Sequence, residues 1–365
     1  MNEISQAAVA IAVQANVPIN LIGEPGCGKS AFIRALGKAL DLPVEVFIGS
    51  CRSPEDIGGY PLADIEAKTI TMVPSGIWVR RLIDAGKGIL FIDEISTLNG
   101  AMQAATLRLI QEGVAGDVAL PRDVRRVAAM NPAEIAAGGF DLAAPLANRM
   151  VHISWGVDVG VVTNGFLDEW PAPEIPHLPS GWPELRKGNA IMIASFFKRF
   201  PQLVQQCPKE ESKRSEPWPS VRSWYDFAIP CLAACESVQA TDEVTTTLLG
   251  GAIGTGAALE FLTWRRQLDL PDPEALLNDP KEFKVYERMD KTFAVLNSVV
   301  AAATRRLTKD RWTAAWDILS SCARQGHVDI AAAAARALVR AKTGAMPNVS
   351  KQIEPFVPLL EAAGL

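Results

Sequence analysis

The chain of 365 residues reads as an α/β fold, a parallel five-stranded sheet with helices on both faces, followed by all-helical sequence. Three observations predict this. Short apolar runs alternate with helical patterns over roughly the first 155 residues, the order expected of a parallel sheet. A glycine-rich loop, GEPGCGKS, stands between one of those runs and a helical pattern. After Trp155 the strand signal stops and helical periodicity takes over.

The N-terminal stretch MNEISQAAVAIAVQ has the pattern of an amphipathic helix and lacks the early positive charge and cleavage site of a secretory signal. VPINLIG, PVEVFIG, GILFID, RRVAAMN and VHISW are short, apolar and bounded by turn residues, which predicts five strands. GILFID is continuously apolar, as a strand buried on both faces should be. SAFIRALGKAL and NGAMQAATLRLIQEG carry helical spacing between the strands. Alternation in KTITMV places a hairpin within YPLADIEAKTITMVPSGIWVRRL. Residues 156–185 include WPAPEIPHLPSGWPE, a proline-rich connection that excludes a regular helix or a central strand.

Helical signals fill the remainder: IMIASFFKRFPQLVQQ, VRSWYDFAIPCLAACESV and LLGGAIGTGAALEFLTWRRQL. GGAIGTG follows no strand and has Leu259 where a dinucleotide-binding fingerprint needs its third glycine, so it reads as close helix packing. A second break, LPDPEALLNDP, precedes the last helical segments. The expected organisation is an α/β domain over 1–155, a connector over 156–185, a helical domain over 186–268 and a C-terminal helical extension over 269–365.

Hydrophobic residues make up 48% of the chain and charged residues 21%, with a net charge of −5. That acidic balance argues against a protein that coats nucleic acid. Six cysteines without a CxxC, and His152, His177 and His327 set apart from them, give neither a disulfide framework nor a zinc site. No apolar run reaches the roughly 18 residues of a membrane span. The expectation is a reduced, cytoplasmic protein.

Chemistry concentrates in two motifs. GEPGCGKS fits G-x-x-x-x-G-K-[ST] with Gly23, Gly28, Lys29 and Ser30 in register. Glycine lets backbone N–H groups turn inward around phosphates, and the helix starting near Lys29 aims its positive end at the same anion. The run Gly23, Glu24, Pro25, Gly26, Cys27, Gly28, Lys29, Ser30 and Ala31 is the expected nucleotide-binding segment. Lys29 would neutralise the β- and γ-phosphates of a nucleoside triphosphate, and Ser30 would ligate Mg²⁺. ILFIDE ends a buried strand in Asp93 and Glu94, at the sheet edge where open α/β folds bind ligands. Asp93 is placed to hold Mg²⁺, and Glu94 to orient and deprotonate a water. Asn131 ends another strand, where its amide either touches the γ-phosphate or its attacking water, or simply opens the turn NPAE.

GEPGCGKS, LFIDE, AAMNPAE and APLANRM, in that order and spacing, resemble an AAA+ ATPase, and within that superfamily the MoxR-like branch. SPEDIGGYP resembles the segment after the second strand of that branch, and PSVRSW resembles the sensor 2 motif of a helical lid over 186–268. The resemblance makes Asn131 sensor 1, Arg149 an arginine finger reaching a neighbouring subunit's γ-phosphate, and Arg222 sensor 2. On the residues alone, Arg149 could instead bond backbone carbonyls at a helix end, and Arg222 could stack on Trp218 or Trp224.

The resemblance implies a homo-oligomeric ring, hexameric in number, that hydrolyses Mg-ATP and remodels a client or adaptor protein. It also implies partners carrying a von Willebrand factor A domain, with the hairpin lining a central pore. The extension over 269–365 goes beyond the minimal ATPase module and would either dock a partner or cap the fold. The rivals are a nucleic-acid motor or loader of the same superfamily, and a small-molecule kinase, which would need neither Arg149 nor an oligomer.

Overall fold

The computed structural model describes residues 2–66, 68–132, 135, 140–168, 170, 172–344 and 346–365. Along the first part run α1 (Glu3–Gln14), β1 (Ile19–Ile22), α2 (Lys29–Ala39), β2 (Val44–Ile48), α3 (Glu55–Gly58), β3 (Tyr60–Asp64) and β4 (Thr69–Val73). There follow α4 (Ile77–Ala85), β5 (Lys87–Asp93), α5 (Gly100–Glu112), β6 (Val114–Ala115), β7 (Val118–Ala119), β8 (Asp123–Met130), α6 (Ala144–Ala147), β9 (Val151–Ser154) and α7 (Val159–Leu167).

The five strands expected from apolar runs form one parallel sheet in the order β2-β5-β8-β1-β9. Its helices lie on both faces. On one, Phe47, Leu90, Ile92 and Ala128 share a core with Trp78 and Leu82 of α4 and Leu109 and Ile110 of α5. The crossovers bring the carboxyl ends of β1, β5 and β8 to one edge, so the loops after Ile22, Asp93 and Met130 converge there. That edge is where a parallel sheet binds its ligand.

Two local expectations change, and one element is new. The expected hairpin is real over β3 and β4, apart from Ala67, which lies outside the described residues, but IWVRRL belongs to α4. Trp78, Val79 and Leu82 bury one side of that stretch, and helical burial outweighs the short alternation before it. VGVVTNGFL, inside the proline-rich connection, forms α7, capped by Asp158, whose carboxylate accepts from the Val161 amide. The prolines follow it rather than interrupt it, and Glu169 and Pro171 among them lie outside the described residues. The small ribbon β6–β7 has no counterpart in the sequence reading; Gly116, at a φ of 56°, turns it.

Beyond these lie α8 (Arg186–Arg199), α9 (Ile229–Ser237), α10 (Asp242–Ile253), α11 (Thr255–Arg266), α12 (Pro273–Asn278), α13 (Met289–Arg305), α14 (Lys309–Arg324), α15 (Val328–Arg340), α16 (Ser350–Ile353) and α17 (Val357–Glu361). The chain divides into two compact units, Met1–Arg186 with Leu203–Glu260, and Lys187–Gln202 with Phe261–Leu365. The segment 186–268 is thus cut at 202 and 260. Among the described residues no helix is long and apolar enough to cross a membrane.

In the first unit α10 packs on β9 and α1. Contact is close because position 251 has no side chain: a Cβ there would lie 2.0 Å from the His152 carbonyl oxygen. GGAIGTG is therefore a packing element, as its sequence context indicates. Gly254, at a φ of 82°, separates α10 from α11.

The second unit has an apolar core of its own around Leu296, Trp312, Trp316, Leu319, Leu338 and Phe356. Its buried carboxylate, Asp290, accepts from Trp264 Nε1 at 2.7 Å and Arg288 Nη2 at 2.6 Å. Burial pushes the Asp290 pKa up, but these donors outweigh it and the net direction is downward.

Gly251→Ala is expected to destabilise the chain by about 1–3 kcal/mol, since α10 must move off β9. Gly250→Ala is the control, because its Cβ would meet nothing nearer than 3.7 Å. Urea unfolding of both variants checks this, and equal midpoints would show that α10 shifts without cost.

Candidate active site

The phosphate loop begins locked to the sheet, with the Gly23 amide donating to the Met130 carbonyl at 3.2 Å. Gly26 and Gly28 take φ values of 79° and 85°, a left-handed backbone that favours glycine. Gly28 is also the N-cap of α2, and no side chain caps that helix start. The first-turn N–H groups therefore face the loop interior with the positive end of the helix dipole behind them. Glu24, Pro25 and Gly26 are exposed on the outside of the loop, and Cys27 is buried.

Lys29 is only 7% exposed. Its Nζ donates to the carbonyls of Gly23 at 2.6 Å and Glu24 at 2.9 Å, and to Asn131 Oδ1 at 3.1 Å. Cys27 Sγ lies 3.8 Å from the same nitrogen, and none of these acceptors is a carboxylate. Ser30 Oγ donates to Asp93 Oδ2 at 2.6 Å, and Asp93 Oδ1 accepts from the Glu94 amide at 3.0 Å. The structure thus brings Lys29, Ser30, Asp93, Glu94 and Asn131 together at the carboxyl edge of the sheet. The turn NPAE continues into Ala133 and Glu134, which lie outside the described residues.

Glu94 sits in the left-handed region, at a φ of 56°. Its Oε2 accepts from Ser50 Oγ at 2.6 Å. Ser50 follows β2, the strand beside β5, and sequence reading passed over it because nothing in IGSC marks it as polar chemistry. Trp155 was missed likewise. Its Nε1 donates to the Cys27 carbonyl at 3.2 Å and its ring packs on Phe32, with centroids 4.8 Å apart. Its own carbonyl oxygen would be 2.3 Å from a Cβ at position 23, so only glycine fits there. Trp155 is a wall of the phosphate loop.

The donor set fits Mg²⁺. Ser30 and Asp93 offer adjacent hard oxygens, the ligand type this ion takes one or two at a time, with water and phosphate completing the shell. Among the described residues no group of three or more His, Cys, Asp or Glu side chains is arranged to hold a metal ion. Beside the loop, a cleft of about 670 Å³ is lined by Glu3 and Gln6 of α1, Ala31 and Phe32 of α2, Asn164 of α7, and Trp170.

Arg149 and Arg222 come together elsewhere in the first unit. Asn148 accepts from Ser220 Oγ through Oδ1 at 2.7 Å and donates from Nδ2 to the Trp218 carbonyl at 3.2 Å. Asn148 and Ser220 are both buried, so this clamp ties LANRM to PSVRSW. Arg149 Nε donates to Gln111 Oε1 at 2.5 Å, and its Nη1 bonds the Pro145 carbonyl. The helix-end bonding that its position allowed is therefore present. Burial, and then the neighbouring Arg222 charge, lower the Arg149 pKa, while Glu112 opposes them. Arg222 precedes a π-helical turn, Ser223–Ala228. Burial raises the pKa of Asp226 in that turn, against the pull of Arg222 and Arg186.

Residues 18–150 match the family profile of the AAA domain, dynein-related subfamily. The match covers a little over a third of the chain, and with the parallel sheet and the glycine-rich loop it supports an AAA+-type P-loop core for that segment. A nif-specific regulatory protein from Azorhizobium caulinodans is 33% identical over 131 residues, which cover 34% of this chain and 21% of that protein. The chain thus spans about a fifth of the length of that relative. A crystal structure from Cytophaga hutchinsonii, described as that of a proposed ATPase, aligns over 93% of this chain and 92% of its own, at 14% identity and a TM-score of 0.31.

Lys29→Ala should weaken ATP binding at least roughly tenfold, because a charge-assisted contact worth more than about 1.5 kcal/mol is lost. Isothermal titration calorimetry measures it. Unchanged affinity would remove Lys29 from the phosphate site.

Proposed function

We propose that the chain hydrolyses Mg-ATP and works as a ring-forming AAA+ ATPase of the MoxR-like branch that remodels a partner protein. One observation carries the catalytic part. Three motifs far apart in sequence meet within hydrogen-bond distance, Lys29 with Asn131 and Ser30 with Asp93, with Glu94 beside them. The triphosphate would lie in the loop, and the cleft beside Ala31 has the volume for the base and ribose.

Lys29 would swing its ammonium from neutral acceptors to the β- and γ-phosphates, a move that leaves no carboxylate unpaired. Ser30 and Asp93 would hold Mg²⁺, whose chemistry is to neutralise charge on those phosphates. Glu94 would orient a water and accept its proton as the water oxygen bonds the γ-phosphorus and the bond to the bridging oxygen breaks, releasing ADP. The Ser50 hydroxyl must let go of Glu94, or turn with it, for that to happen. Asn131 would steady the γ-phosphate or the water.

Support for a shared site comes from the arginines. The Asn148–Ser220 clamp puts Arg149 and Arg222 in one electrostatic neighbourhood. We place both on the face offered to an adjacent subunit, where two cations would meet the charge that develops on its γ-phosphate. The β3–β4 hairpin exposes Leu62, Ile65 and Ile70, which suits a client-facing position near a pore. The helical core of the C-terminal extension offers a separate platform for a partner, including one with a von Willebrand factor A domain.

Glu94→Gln should bind ATP with near-normal affinity and turn over at least roughly a hundredfold more slowly, since the base is lost while geometry survives. Single-turnover hydrolysis with a parallel binding titration separates the two effects. Normal turnover would exclude Glu94 as the base.

A mixing experiment tests the shared site. Arg149→Ala should fold, bind ATP and hydrolyse poorly, because its charge acts chiefly in the transition state. Mixed with Glu94→Gln, it should recover activity that neither variant has alone, at interfaces pairing an intact Glu94 with an intact Arg149. Labelled subunits verify exchange. Full activity of Arg149→Ala by itself would end the shared-site reading.

A further inference from the structure

The end of β8 opposite Asn131 carries a second polar site. Arg126 lies there beside a cavity of about 270 Å³ lined also by Asn16, Glu112, Leu120 and Arg122. Among the described residues no carboxylate pairs with Arg126. Its Nη2 donates to Asn16 Oδ1 at 3.3 Å, and Asn16 is fixed in turn by its Nδ2, which donates to the Arg122 carbonyl at 2.8 Å. Arg126 Nε is buried and has no hydrogen-bond partner.

The surroundings do not compensate the charge. Burial, and then the like charge of Arg125, lower the Arg126 pKa, and nothing acts in the other direction. Arg125 is taken by Asp123 at 3.2 Å, and Glu112, the acid of the cavity, is taken by Arg108 at 3.1 Å. Arg122 is exposed at the rim. A part-buried guanidinium with a buried, unused Nε donor and a second arginine at the rim, beside an acid already shared with Arg108, leave a net demand for negative charge.

We infer that this cavity is an anion site in which Arg126, helped by Arg122, receives a single oxyanion group, carboxylate or phosphate. The volume is below the range of drug-sized ligand pockets, so one charged group fits and a nucleotide does not. Arginine suits the task because its fork of N–H groups pairs with two oxygens at once. The group has two possible sources, a free small anion or an acidic side chain of a second copy of the chain. The site is independent of ATP hydrolysis and stands whether or not the phosphate loop turns over.

The test titrates inorganic phosphate into the Lys29→Ala chain, which lacks the phosphate loop's own cation, at constant ionic strength made up with chloride. A free-anion site should raise the melting temperature with phosphate. Adding Arg122→Ala should weaken the apparent phosphate affinity at least roughly tenfold, and adding Arg126→Gln should abolish the response. If Arg126→Gln fails to fold, Arg122→Ala decides, being exposed. The second source predicts no phosphate response but self-association by sedimentation velocity that falls at least roughly tenfold in Arg122→Ala at an unchanged melting temperature. A phosphate response that Arg122→Ala leaves intact, or the absence of both effects, overturns the anion site.

Discussion

The buried ammonium of Lys29 organises the site. A charge this far from water needs partners, and the chain supplies two carbonyls and one amide oxygen rather than a carboxylate. A carboxylate would bind the lysine more tightly and spend its charge. Neutral acceptors satisfy the donors and leave the field for an anion. The choice constrains the surroundings. Gly23 and Glu24 must present carbonyls inward, which demands the left-handed turns at Gly26 and Gly28. Asn131 must end β8 level with them, which demands β8 next to β1 in parallel register.

The same economy appears at the acidic partner. Asp93 spends one oxygen on Ser30 and the other on the backbone of Glu94. Glu94 is therefore aimed by its own main chain, in a left-handed conformation that costs on the order of 1 kcal/mol for a residue with a side chain. The Ser50 hydroxyl then holds the free end of the carboxylate against the end of β2. Two adjacent acids thus receive different environments from one strand end.

What the sequence made legible was local. GEPGCGKS, LFIDE and the five apolar runs declare themselves because their physics is contained in neighbouring residues: glycine where φ is positive, apolar side chains where a strand is buried. Lys29, Ser30, Asp93, Glu94 and Asn131 could be placed for the same reason. Ser50, Trp155 and the Asn148–Ser220 clamp were not legible, since each acts on a group 44 or more positions away along the chain. A serine after a strand and a tryptophan ending one are ordinary until the fold shows what they face.

Strand β9 joins the two ends of the machinery. Arg149 stands two residues before it and Trp155 just after it, so most of the segment between the arginine pair and the glycine-rich loop is a four-residue strand of about 13 Å. It is held on one side by β1 and, through Gly251, pressed against α10 on the other. Arg222 is tied to the same strand end by Ser220 and Asn148. A load applied to the arginines by an adjacent nucleotide would, on the shared-site reading, pass along β9 toward Trp155, whose indole donates to the Cys27 carbonyl inside the loop. On the shared-site reading, this strand is the shortest rigid path between one subunit's nucleotide and the next, and the close packing at Gly251 is what keeps it stiff.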